Sequence, residues 1–403
     1  MRKYFKFFAV LFLFFSLNGC LKKTKLPLSY SDLAVNLKAG DIIHIQTGFV
    51  ISVENMIDII KDSRIIYIGE THDNIEAHHV QLEVIKKLHE LYPDNLSVGV
   101  EMFPKSYQKI LDKWSMGELT EKEFIRQTNW YSTWGINYKY YADIFNFIKE
   151  KKLPLIGLNV PREILKDMKI SGIDITREKY REDIPDIDMN DPYYISYMKS
   201  YFSGHGSTGR GLDTFIQIQA MWDEIMAKTL VDFLTRNNGM KIVVLAGGNH
   251  VKYGFGIPRR AFRKMPLPYK IIIPREVSIP EDKKDKLMDV DLPDLNIPAA
   301  DFFWMVNYTD LDKEKIRLGI MTDDTQGKIV VKSILPESLA EKSGILAGDI
   351  VSMYNDEDLT EVSDLIYLLD KEKPGNHAVL EILRGGETLK IDIILTITSP
   401  EPH

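Results

Sequence analysis

Two turns of this chain carry the same residue types. Gly69-Glu70-Thr71-His72 follows the apolar run Arg64 to Ile68, and Gly247-Gly248-Asn249-His250 follows the apolar run Lys241 to Ala246. Each is a G-x-x-H turn at the carboxyl end of a buried strand, where open parallel sheets build their ligand crevices. If the two strands lie side by side, both histidines face one pocket. Two further strand ends add Glu101, after Leu96 to Val100, and Asn159 with Arg162, after Leu155 to Leu158. Four crossovers thus deliver two carboxylates, two histidines, an asparagine and an arginine to one rim.

Imidazole and carboxylate oxygen together suit zinc, iron or manganese, so His72, Glu70 and His250 are candidate ligands of a divalent metal ion. A carboxylate outside that shell, Glu101, would then act as base on an activated water, with Arg162 holding an anionic group, and hydrolysis is the natural reaction. Without a metal, a histidine and glutamate pair still runs acid-base chemistry in a dry crevice. Plainer roles exist for each residue. A strand-end histidine also caps helices or bonds carbonyls, Glu70 is favoured beside a helix start by the dipole alone, and Arg162 also serves as the partner of Glu101. His78 and His79 fall within the following helix and stay outside the core set.

The elements that must position these residues follow from the apolar pattern. Ile42 to Ile45, Ile65 to Ile68, Leu96 to Val100, Leu155 to Leu158, Ile242 to Leu245 and Ile271 to Ile273 read as strands. Between them, Ile75 to Leu91 shows a helical stripe, Thr120 with Glu123 forms a capping box, Pro161 opens a helix over Arg162 to Met168, and Leu212 to Thr235 reads as one long helix. Strand and helix in alternation predict an α/β domain over residues 41–308, a mainly parallel sheet flanked by helices.

The chain opens with Met1-Arg2-Lys3 and Lys6, runs through an apolar Phe7 to Leu17 and reaches Leu17-Asn18-Gly19-Cys20. A basic start, a short apolar stretch and a small residue before a cut describe an export signal, residues 1–19. The arrangement resembles a bacterial lipoprotein signal in which Cys20 is the lipid-modified first residue, with a polar tether over 20–40. Its several acyl chains would hold the protein at a membrane, and Lys22 is compatible with the periplasmic face of the outer membrane. Cys20 is the one cysteine in 403 residues, so no intrachain disulfide forms. A formal net charge of -7 without a basic stripe excludes nucleic acid as the expected partner.

Two other stretches bear on binding. Trp130-Tyr131-Ser132-Thr133-Trp134 through Tyr138, Tyr140 and Tyr141 is dense in aromatics, which line a flat apolar ligand or fill the core between helices. Ser203 to Gly211 is a glycine-rich segment, suited to a lid or to a plain connection.

Ile68-Gly69-Glu70-Thr71-His72-Asp73, Val100-Glu101-Met102-Phe103, Gly157-Leu158-Asn159-Val160-Pro161-Arg162, Gln219-Ala220-Met221-Trp222-Asp223 and Gly247-Gly248-Asn249-His250-Val251, in this order, resemble the ChaN family. The likeness runs from about Asp41 to Tyr308 and includes a closing strand at Phe302 to Val306. It implies an iron-regulated, haem-binding envelope lipoprotein, grouped with Tiki proteases and erythromycin esterases. The resemblance further implies haem as cofactor, its iron held by a tyrosine and its propionates by basic residues, with a homodimer as partner. The tyrosine falls on no motif position. Tyr131, Tyr138, Tyr140, Tyr141 and Tyr201 are candidates, and Asn159 and Arg162 border the ligand. The same framework in its Tiki-like and esterase-like relatives implies the alternative of a metal-dependent hydrolase using Glu70, His72, Glu101 and His250.

Pro280 to Pro298, rich in Asp, Lys and Pro, reads as a linker or excursion. Beyond Thr309, Arg317-Leu318-Gly319-Ile320 and Ser338-Leu339-Ala340 through Gly348-Asp349-Ile350 resemble a PDZ domain of the bacterial protease-associated kind, small and β-rich, over 309–399. That likeness implies a protein or peptide partner, whose carboxylate meets backbone amides at Leu318, Gly319 and Ile320.

Overall fold

The computed structural model describes residues 37–203, 211–283, 297–311, 315–325 and 327–397. The export signal over 1–19, Cys20 and most of its tether, the glycine-rich stretch from Gly204 to Arg210 and most of Pro280 to Pro298 lie outside the described residues.

The first domain is an eight-stranded sheet. Its strands are β1 (Ile42–His44), β2 (Phe49–Ile51), β3 (Ile65–Glu70), β4 (Leu96–Pro104), β5 (Leu155–Asn159), β6 (Lys241–Gly247), β7 (Tyr269–Glu276) and β8 (Phe302–Val306). Their order is β2-β1-β8-β7-β3-β6-β4-β5. From β8 to β5 all neighbours are parallel, while β1 pairs antiparallel with both β8 and β2. β3 and β6 are buried at every position, as expected of central strands covered by helices on both faces. β2 is a three-residue edge strand with Phe49 and Val50 exposed, a length that limits further pairing.

Every expected strand and helix is present, with shifted ends. β4 continues to Pro104, the long helix spans Leu212–Arg236, and Pro161 is the N-cap residue of the Arg162–Ser171 helix rather than its first turn. The capping box forms at Thr120 and Glu123 ahead of the Glu121–Gln127 helix. Asn74 starts the Ile75–Leu91 helix by accepting from the Glu76 amide at 3.2 Å. The face that this helix buries carries Val80, Val84, Ile85 and Leu88, and also His78 and Gln81. The aromatic stretch is core: Trp130, Tyr138 and Tyr141 pack with Phe103, Phe124 and Phe145 at ring separations of 5.3 to 6.5 Å.

The second domain is a six-stranded antiparallel sheet of β9 (Ile320–Thr325), β10 (Lys328–Ile334), β11 (Ile350–Tyr354), β12 (Glu357–Asp358), β13 (His377–Arg384) and β14 (Glu387–Ile394). The order is β14-β13-β11-β10-β9, with β12 on β11, so β9 is an edge strand. Leu318, Ile329, Val331, Leu365, Leu369 and Leu380 belong to its own core. The Thr309 amide donates to Asn74 Oδ1 at 3.0 Å and the Leu311 amide to the Tyr140 hydroxyl at 2.7 Å, which ties both to the first domain. The Val362–Leu369 helix docks on that domain, with Tyr367 packed on the first core and Lys122 paired with Glu357 at 2.8 Å. No helix among the described residues is long and apolar enough to cross a membrane.

Candidate functional site

β3 and β6 are adjacent and in register, with Gly69 opposite Ala246 and Glu70 opposite Gly247, so both G-x-x-H turns leave the sheet at the same edge. β4 flanks β6 on the other side. Side chains alternate along each strand. Ile66 and Ile68 enter the core beneath the Ile75–Leu91 helix, and Glu70 shares their side of β3. Val98, Val100 and Met102 also enter that core, so Glu101 points to the opposite face. The two acids therefore approach the rim from opposite sides of the sheet.

Glu70 is buried and fully bonded. Oε1 accepts from the Tyr141 hydroxyl at 2.6 Å and pairs with His72 Nδ1 at 2.7 Å; Oε2 accepts from Gln81 Nε2 at 2.7 Å and lies 3.8 Å from His78 Nδ1. Burial alone would raise this carboxyl. The neighbouring imidazoles of His78 and His72 and the hydrogen bonds from His72 and Tyr141 override it, and the pKa falls to about 2. His72 keeps 29% of its side-chain surface exposed. Burial works against a charged His72, and the bond and charge of Glu70, with Glu101 beyond, prevail and lift its pKa.

On the other face His250 lies between two acids. Nδ1 pairs with Asp223 Oδ1 at 2.7 Å and Nε2 with Glu101 Oε1 at 3.3 Å. Burial lowers its pKa, but the two carboxylates outweigh that and hold it well above the ordinary imidazole value. Glu101 Oε2 accepts from the Gly247 amide at 2.7 Å. Burial pushes Glu101 up, and His250 pulls it down further, so the net shift is downward. Asp223 is held in turn by the Tyr194 hydroxyl at 2.9 Å. Between the two units, the His72 ring covers Gly247: a Cβ there would stand 3.0 Å from its Cε1 and 3.1 Å from its Nε2. Trp134 meets His72 edge to face at 5.0 Å, and Trp222 meets His250 at 5.7 Å, both indoles being partly exposed.

The expected residues Glu70, His72, Glu101 and His250 do converge. Asn159 supports them from below: its Nδ2 donates to the Glu101 carbonyl at 2.6 Å and its Oδ1 accepts from Trp222 Nε1. Arg162 is exposed on the first turn of its helix and pairs with neither acid in any bond described. Most of the candidate tyrosines are buried or bonded within the fold. Tyr138 and Tyr141 are shut inside the core, Tyr140 donates to Asp310 at 2.8 Å, and Tyr131 donates to Asp370 of the second domain at 3.0 Å. Of the five tyrosines, Tyr141 and Tyr201 reach the site: Tyr141 through its hydroxyl on Glu70 Oε1, and Tyr201 bonded to Asn249, where burial pushes its hydroxyl up to about 12.

Among the described residues no group of three or more histidines, cysteines and acids is arranged to hold a metal ion. Glu70 has both oxygens engaged by Tyr141, His72 and Gln81, and both His250 nitrogens face carboxylates. Asp223, Gln81 and Tyr194 were not foreseen as parts of the site, and His78, left outside the core set, lies 3.8 Å from Glu70 Oε2. Asp223 stood within a quoted motif, and His78 and Gln81 have the i, i+3 spacing of one buried helix face.

At the second domain, Leu318 is buried, Gly319 has φ +77°, and Ile320 begins β9. The free edge of β9 lies beside the Val362–Leu369 helix, the arrangement needed for an added peptide strand.

Comparison with known proteins agrees with this division. Residues 56–261 match the family described as haem-binding uptake, Tiki superfamily, ChaN, and residues 317–395 match the PDZ domain. The fold is similar to the Campylobacter jejuni ChaN structure with cofacial haem, at 20% identity and TM-score 0.52, over 66% of this chain and 96% of that one. The periplasmic pH-dependent serine endoprotease DegQ of Escherichia coli is 26% identical over 187 residues, 46% of this chain and 35% of that protein. The Do-like serine protease HtrB of Bacillus subtilis is 31% identical over 80 residues, 20% of this chain and 18% of that protein. The chain thus spans about a third or less of the curated relatives it matches. With half of its length matched, the chain belongs to the ChaN haem-binding uptake family of the Tiki superfamily, and it carries a PDZ domain after the family's α/β domain.

Proposed function

We propose that this protein is an envelope lipoprotein, lipidated at Cys20, whose α/β domain binds haem for iron uptake and whose PDZ domain docks a protein partner. The observation that carries the haem reading is the pairing of each rim imidazole with a partly exposed indole, Trp134 on His72 and Trp222 on His250. Such a rim offers stacking area to a flat aromatic macrocycle. It fits a porphyrin better than a bare metal ion. Trp134→Ala and Trp222→Ala should each weaken haem binding about tenfold, the equivalent of about 1.4 kcal/mol. Unchanged affinity in both variants contradicts this placement. Cys20→Ser should release the protein from the membrane fraction, and full retention there contradicts anchoring through that residue.

A second reading rests on a different observation, the cationic His250 held between Glu101 and Asp223 beside a His72 oriented by Glu70. With Nδ1 paired to Glu70, the neutral form of His72 presents Nε2 as a base to water, and Glu101 and Asp223 hold the His250 ring in place beside it. This is acid-base ester or amide hydrolysis. His250→Ala should abolish turnover of an ester and peptide panel. Full activity in that variant contradicts the reading.

A further inference from the structure

Asp370, the C-cap of the Val362–Leu369 helix, touches both sides of the domain junction. Its Oδ2 accepts from the Tyr131 hydroxyl at 3.0 Å, and its Oδ1 lies 3.9 Å from Lys315 Nζ. Lys315 stands three residues before Leu318, and Leu318 and Leu369 share one core. A peptide added to the free edge of β9, with its carboxylate at Leu318 to Ile320, therefore places its last side chain next to the end of the helix that Asp370 caps. The same helix sends Tyr367 onto the first core, and Glu361 at its N-cap pairs with Arg126 at 3.7 Å.

On the other side, Tyr131 belongs to the single-turn helix Trp130–Thr133, which Trp134 closes by donating its amide to the Trp130 carbonyl at 2.8 Å. The Trp134 ring stands edge on against His72 at 5.0 Å and 86°, and its Nε1 donates to the Tyr141 hydroxyl at 3.1 Å. Tyr141 in turn holds Glu70. Three side chains span the distance from peptide groove to rim. None lies in a long flexible loop.

We propose that occupancy of the PDZ groove by a peptide with a free C-terminal carboxylate is coupled to the His72 site through Asp370, Tyr131 and Trp134. The inference rests on the peptide-binding reading of the second domain and not on which ligand the first domain takes. A wedge between β9 and the Val362–Leu369 helix shifts Asp370, the hydroxyl of Tyr131 follows it, and the short helix passes the movement to Trp134. Coupling of this kind is reciprocal, so a ligand at the rim alters peptide affinity by the same factor.

The test uses the full chain with 15N-labelled tryptophan. The chain has five tryptophans, and Trp134→Phe assigns the relevant indole signal. The probe is a peptide selected on the full chain from a display library of free C-termini, with its C-terminally amidated form as control. The expected result is a saturable shift of the Trp134 indole signal, with the dissociation constant found by calorimetry, while Trp304 on β8 stays in place. Tyr131→Phe, or Asp370→Asn as the second variant, should reduce that shift severalfold while the peptide still binds. A Trp134 signal that does not move at saturation overturns the coupling and leaves the groove reading standing. An undiminished shift in both variants overturns the route through Asp370 and Tyr131. Failure to select any peptide overturns the groove reading, and the coupling with it.

Discussion

The Tyr141 hydroxyl donates a 2.6 Å hydrogen bond to Oε1 of Glu70, across 71 positions of sequence. That bond makes a residue of the aromatic core a member of the rim. It also helps keep a carboxylate with no exposed side-chain surface ionised, because burial is outweighed by His78, His72 and Tyr141.

The pH dependence of stability follows from that shift. Glu70 falls from 4.5 to about 2 on folding, so its contribution is present above about pH 4.5 and is lost as pH falls toward 2. The size is about 3 kcal/mol. Urea unfolding at pH 7, 5 and 3 should show a steep acid limb in the parent chain and a flatter one in Glu70→Gln. Parallel limbs would count against the assignment.

His250 has the opposite sign. Its folded pKa is raised, so the stabilisation is complete below about 6.5 and disappears only as pH rises through the higher folded value. The imidazole should remain charged at pH 7.5 by NMR, and Asp223→Asn should bring its midpoint down. A midpoint near 6.5 in the parent chain contradicts the two-carboxylate clamp.

Gly247 is closely approached by His72, since an added Cβ would stand 3.0 Å from the ring. Gly247→Ala should cost about 1 to 3 kcal/mol and displace the His72 signals. Thermal unfolding and the NMR spectrum check this together. An unchanged His72 environment contradicts the close approach.

Gly319 is constrained twice, by φ +77° and by Ser338, whose Cβ would lie 2.3 Å from a new methyl. Gly319→Ala should displace the loop before β9 and abolish capture of C-terminal peptides, at a cost of about 1 to 3 kcal/mol. Full capture by the variant argues against that loop as the carboxylate site.

Much of this was legible in the sequence for identifiable reasons. Central parallel strands such as Ile65 to Ile68 and Ile242 to Leu245 are continuous apolar runs, which stand out. Glu70, His72, Glu101 and His250 end such runs, so their convergence followed from strand adjacency. What stayed hidden came from helices. Gln81, Asp223 and Tyr194 lie on helical faces whose orientation depends on packing, and no local pattern tells a carboxylate that clamps His250 from one on a solvated face. The tyrosines were ambiguous for the reverse reason. Burial of Tyr138 and Tyr141 is a property of the assembled core, invisible in a stretch whose composition suits a ligand equally well.

The central claim is that the rim binds haem. The most direct measurement is a haem titration of the purified chain followed in the Soret band, with Tyr141→Phe and Tyr201→Phe alongside to separate the candidate iron ligands. A saturable Soret shift at stoichiometric haem, lost in one of the two variants, is the expected result. No shift in the parent chain at saturating haem would contradict the account.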